Sequence, residues 1–571
     1  MRVYVAWGLV AAFVIAATLF FPAPVPPALT KTVCKGGSGI TLDQQIVACS
    51  ALLTDPGVAA GDRPGFYLQR AGALRQQGKI DEAIADLTQA ITLDPKNETA
   101  YVLRADYYDD KDRDDLAVRD YDRALALDPS DDTAFNNRGY AYNRLGKYDL
   151  AIADGSQAIK LMPRSAVHYE NRGEAWHNKG DNEHAIADFT QAVALNPNYA
   201  IAYRDRGDAY DDLKQYDLAI ADYQQELQLA PYDSTGYNNL GCAYEHIHDS
   251  QNALIAFNQA VALDPDSMLA LDNRGQIYAG LGDYAHAIAD FNRVLAQKPK
   301  AEATLRHRGD AYGDKGDHVS ALRDYAAALK LAPHDGAVLN NRGLVYGRQG
   351  KYDLALADFA QALKLNPKDG DVFANRANMF ADMRKFGQAR ADYDAAVESE
   401  PTSDHYRRRA DFLDDIGDDG AAVQDYTQAL ALDPSDWIAY NNRAVARVNG
   451  GNDTLAVADY TNAARLAPYA SRAAIYVRRA AAYLADGQEN EAIADCNLAT
   501  SLDPKSAIAY SMRGRVYAGK GYDDLALRDF DTALRLDPKL ADAYSRRAQV
   551  KRRLGDEAGA TADSAKAKAG S

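Results

Sequence analysis

Eleven asparagines stand at recurring places in this chain, and the side-chain amide is well suited to gripping a polypeptide backbone. They are Asn136, Asn137, Asn171, Asn238, Asn239, Asn273, Asn340, Asn341, Asn375, Asn441 and Asn442. Each carries two N–H donors and a carbonyl acceptor, so a regular row can pair with successive backbone amides of an extended peptide whatever its sequence. The alternative is that these asparagines follow a repeat consensus and are simply solvated. Other chemistry is sparse. There is no glycine-rich phosphate loop, no Cys-x-x-Cys and no His-Glu-x-x-His, and the ten histidines are scattered. His246 and His248 are two apart, a spacing that does not align ligands on one helix face. The acidic run from Asp109 to Asp115 lacks the glycine and terminal glutamate of a calcium loop and reads as a turn between helices. The chain is therefore expected to be non-catalytic, with no cofactor and no metal site.

A repeat places the asparagines. Fourteen prolines run from Pro95 to Pro538, and every interval is 34 residues except one of 33 and one of 36. A fixed period of that size means stacked supersecondary units. With proline at position 32, the first unit runs from Pro64 to Asn97. Position 8 is Gly or Ala and position 20 is Ala in all fifteen units. Small residues there let two helix backbones approach closely. Large apolar residues at positions 4, 11 and 24 have helical spacing. Glycine at position 15, in eleven of fifteen units, caps the first helix, and the residue before proline ends the second. Position 7 is Arg and position 23 is Asp in fourteen of fifteen units, and the sixth lacks both, carrying Leu240 and Ala256. Two polar positions lost together predict an Arg–Asp pair across the two helices of each unit.

These features resemble the tetratricopeptide repeat family, most plainly from Tyr237-Asn-Asn-Leu-Gly through Ala253, Phe257 and Ala260 to Pro265. The resemblance covers residues 64 to 571. It implies an all-α, right-handed superhelical solenoid of about fourteen to fifteen helix-turn-helix units, with the first helix of each lining a concave side. Positions 5 and 6, which hold the eleven asparagines, would face inward. The row is then similar to the asparagine ladder in the repeat domain of O-linked N-acetylglucosamine transferase, without that enzyme's catalytic domain. The family's chaperone-tail clamp is not reproduced in full and is not carried over.

The ends differ from the array. Arg2 precedes nineteen uncharged, mostly apolar residues, Val3 to Phe21, enough at ~1.5 Å per residue to span a hydrocarbon core of ~30 Å. Residues 1–21 are read as a signal anchor or a cleaved signal peptide, 22–40 as a Pro/Gly-rich linker, 41–63 as a capping helix and linker, 64–540 as fourteen units, and 541–571 as a degenerate fifteenth unit that caps the array. Either reading of the first segment puts the repeats outside the cytoplasm, on the periplasmic side of a membrane or secreted. A disulfide between Cys34 and Cys49 is expected in such an oxidising compartment. The net charge of −17 argues against nucleic acid, which needs a basic footprint, and against membrane contact beyond the first segment. The expected function is a protein-interaction scaffold that holds proteins or extended peptides in its groove. The alternative is an accessory subunit that positions a separate enzyme in an envelope glycan-synthesis or secretion complex.

Overall fold

The computed structural model describes residues 27–569; the apolar segment read above as an anchor or signal lies outside them. Two compact units, Met1–Asp283 and Tyr284–Ser571, divide the chain. The first holds α1 (Pro27–Lys35), α2 (Leu42–Thr54), a short 3-10 turn and then antiparallel helix hairpins. The second continues the same pattern to Glu557–Ala569. Among the described residues there is no strand, and no helix is long and apolar enough to cross a membrane. Each unit is thus an all-α stack of the predicted repeats.

One steric rule builds most of the hairpins. The small residue at position 8 faces the aromatic ring that eleven of the fifteen repeats carry at position 24. A Cβ on Gly207 would sit 2.7 Å from Tyr223, and one on Gly241 would sit 2.6 Å from Phe257. Position 20 is equally tight: Ala117, Ala219, Ala321 and Ala526 are fully buried. The turn after the first helix is left-handed in all fifteen repeats. Asp112, Lys214, His248 and Arg384 hold positive φ where glycine is missing, so packing of the hairpin imposes a conformation these residues disfavour.

Position 7 and position 23 meet as a two-pronged ion pair. Arg308 Nε and Nη2 donate to Asp324 at 2.6 and 2.8 Å, and Arg342 and Asp358 do the same at 2.8 and 2.7 Å. The third guanidinium nitrogen usually crosses to the preceding repeat: Arg308 Nη1 reaches Asn292 and Arg443 Nη1 reaches Thr427. An arginine bonded in this way ties its own hairpin to its neighbour. In the sixth repeat Leu240 and Ala256 share one buried apolar cluster, which replaces the ion pair with packing.

At the amino end, α1 and α2 are joined by a Cys34–Cys49 disulfide. Helix α2 packs on the first helix of the first repeat (Arg63–Gln76), and Arg70 Nη1 donates to Ser50 at 2.8 Å. Ser50 thus accepts the bond that a residue on the preceding repeat's second helix accepts elsewhere in the array. Burial pushes the free thiols of Cys242 and Cys496 up to about 12. Thiol reagent added after denaturation without reductant should mark two cysteines, Cys242 and Cys496, and after reduction all four. Four labelled cysteines before reduction would show the bridge absent.

Candidate functional site

The asparagines join four polar nodes, each built from three consecutive repeats. In the first node Tyr121 OH and Asn137 Nδ2 both donate to Asp106 Oδ1, at 2.6 and 3.1 Å. Asn136 donates to Asn137 Oδ1 at 3.2 Å, and Asn171 of the next repeat donates to Asn136 Oδ1 at 2.9 Å. The second node repeats this with Tyr223, Asp208, Asn239, Asn238 and Asn273. The third uses Tyr325, Asp310, Asn341, Asn340 and Asn375. The fourth has Tyr426, Asp411, Asn442 and Asn441, with Arg478 in the place of the last asparagine.

Helix geometry explains the assembly. Positions 5, 6 and 9 lie on one stripe of the first helix, so side chains of neighbouring first helices meet edge to edge, while the position-24 tyrosine reaches through from the second helix. None of the eleven asparagines is exposed, and Asn136, Asn238, Asn375 and Asn441 are buried. Part of their hydrogen-bonding capacity is spent between repeats, so they set the register of adjacent hairpins as well as offering donors.

Each node is centred on a half-buried carboxylate. Burial raises the pKa of Asp106, Asp208 and Asp310, and the tyrosine and asparagine donors pull it back down. The same carboxylates push the tyrosine hydroxyls far above their usual range, after burial itself. Both donors converge on Oδ1 in these three aspartates, which leaves Oδ2 available to a visiting N–H. Beside the third node lies a pocket of about 280 Å3 lined by Asp310, Asp314, Tyr325, Asn341 and Arg348. Among the described residues no group of three or more His, Cys, Asp or Glu could hold a metal ion.

Asp106, Asp208 and Asp411 stand out in the sequence as inward-facing acids at position 9, but their bonding to tyrosine and asparagine does not, although a signal is there. The nodes recur at 102, 102 and 101 residues, from Asp106 to Asp208, Asp310 and Asp411. That is a second period of three repeats, masked by the stronger 34-residue one.

Family models of the tetratricopeptide repeat match residues 132–164, 177–234, 240–312, 336–369, 374–436, 415–471, 473–506 and 507–540, and a TPR repeat model matches 72–111 and 105–146. The chain belongs to the tetratricopeptide repeat family. It is similar to yeast Tom70, at 17% identity over 75% of this chain and 97% of that one, with a TM-score of 0.44. It is similar also to the chain from the structure of Naa15/Naa10 bound to HypK-THB, at 15% identity over 95% and 99%, with a TM-score of 0.35. A third likeness is to YrrB, described as a TPR protein with an unusual peptide-binding site, at 24% identity over 32% and 95%, with a TM-score of 0.28. No curated protein sequence matches the chain. The family is a protein-interaction scaffold fold, and no enzyme family is indicated.

Proposed function

We propose that this protein is a scaffold that captures protein or peptide partners along the face formed by its first helices, with the Asp–Tyr–Asn nodes as fixed contact points. The observation that carries the reading is the fourfold recurrence of one hydrogen-bonded constellation centred on a half-buried aspartate, with Oδ2 unbonded in the first three copies and close to Arg407 in the fourth. A carboxylate already oriented by two donors accepts a backbone N–H or a basic side chain without reorganising. The Cys34–Cys49 bridge supports an oxidising compartment for the repeats, as expected of a chain anchored in or exported across a membrane by its first segment.

The test is direct. The tightest dodecapeptide selected from a random library on the full chain should lose about tenfold or more in affinity for the Asp208→Asn/Asp310→Asn variant. A hydrogen bond to a charged group is worth ~1.5–3 kcal/mol. Undiminished binding, with helicity intact, would place capture elsewhere.

A further inference from the structure

The three-repeat period reaches the end of the chain with its charge reversed. At the places held by Asp310, Tyr325 and Asn341 in the third node, the fourteenth and fifteenth repeats carry Arg515, Phe530 and Arg546. A pocket of about 400 Å3 lies there, lined by Arg515, Arg546 and Arg553 with Leu484, Ala518 and Val550. Its position between adjacent first helices matches the Asp310 pocket. All three node residues have changed together. Phenylalanine removes the hydroxyl that would serve a carboxylate, and two guanidiniums replace the carboxylate and its amide donor.

These cations are only partly neutralised from within the chain. Arg515 is exposed and forms no hydrogen bond or ion pair among the described residues. Arg546 spends only Nε, on Asp542 at 2.8 and 3.0 Å, so both of its Nη groups remain. Arg553 Nη2 is held by the Ala518 carbonyl at 3.0 Å and by Asp523. Burial lowers the Arg515 pKa, the Arg546 charge lowers it further, and the nearby Asp542 offsets this only in part. By contrast, every position-7 arginine of the second unit is paired with a carboxylate.

We propose that this pocket is an oxyanion site that takes a carboxylate or phosphate group carried on a partner polypeptide, gripped by the forks of Arg515 and Arg546. Leu484 and Val550 supply an apolar wall for the stem of the side chain that carries the group. The proposal rests on the scaffold reading above and gives its carboxy-terminal end a ligand chemistry opposite to that of the nodes.

Fluorescence anisotropy on the full chain at 0.15 M salt tests it with three labelled hexapeptides: hexaglutamate, an alternating phosphoserine–glycine peptide and hexalysine. One or both of the acidic peptides should bind, and Arg515→Gln/Arg546→Gln should weaken that binding at least tenfold with the melting temperature unchanged. Arg515→Lys, which keeps the charge but loses the fork, should fall between. Hexaglutamate binding alone would identify carboxylate as the preferred group, and phosphopeptide binding alone would identify phosphate. No acidic peptide binding, or binding indifferent to the two substitutions, overturns the proposal. If the library dodecapeptide still binds in that case, the pocket alone has failed and the nodes stand.

Discussion

Replacing Glu226 and Gly236 together with alanine is expected to stabilise the junction of the fifth and sixth repeats, while Gly236→Ala alone should disrupt it. Glu226 is 1% exposed, and its Oε2 is buried without a hydrogen-bond partner. At the corresponding places several other repeats have two small residues: Ala124 with Ala134, Ala192 with Ala202, and Ala533 with Ala543 are all fully buried. Gly236 is what admits the glutamate, since a Cβ there would overlap Glu226 Oε2. The single change to alanine is therefore expected to cost about 3 kcal/mol or more, by overpacking against a buried polar group. Glu226→Ala removes the unsatisfied acid but leaves a gap, and the added Cβ of the double variant fills it. A net gain of ~1–3 kcal/mol over the native pair is expected, read as a shift in the urea midpoint.

The same glutamate gives a pH dependence. Burial, followed by the nearby Asp233, raises its pKa to about 8. Between its unfolded pKa of ~4.3 and about 8 the folded state holds a proton that the unfolded state has released. Stability contributed by this site is thus full below the lower value, falls as pH rises through that window and is flat above it. In the double variant this slope should vanish. A slope that survives would assign it to another acid, such as Asp205, which burial and Glu170 push upward.

The second large effect concerns the ion pair inside each repeat. Asp324→Ala should strand the Arg308 guanidinium and destabilise the eighth repeat by ~3 kcal/mol. Arg308 keeps 18% of its side-chain exposure while Asp324 keeps 3%, so water limits the loss on the arginine side. Arg308→Leu/Asp324→Ala should recover most of it, because the sixth repeat shows that leucine and alanine pack in this place. Strictly additive losses in the double-mutant cycle would mean that the two side chains do not act as a pair. Local hydrogen exchange is a suitable readout, since repeats of this kind open semi-independently.

The fold was legible because it is written fifteen times over. Gly207 against Tyr223 and the left-handed turn at position 15 are local steric demands, and each repetition of the sequence restates them. The pairing of Arg with Asp was legible for a different reason: one defective repeat, with Leu240 and Ala256, exposed the dependence. The asparagine positions were legible, but their bonding was not. Asn137 meets Asp106 from the preceding repeat and Asn171 meets Asn136 from the repeat before it, contacts set by how hairpins stack and not by any spacing within one. Glu226 was likewise invisible, since its burial follows from the missing Cβ of Gly236 in the next repeat. The period of three was present in the sequence, carried by so few positions that only the hydrogen bonds made it stand out.

The central claim, that partners lie along the first-helix face, can be tested with a photo-reactive benzoylphenylalanine at single sites of the ninth repeat. Leu344, on the first helix, lines the pocket of the third node, whereas Leu354, on the second helix, is 49% exposed. With the library-selected dodecapeptide as probe, the full chain should cross-link from position 344 and not from position 354. Cross-linking from position 354 with none from 344 would contradict the claim.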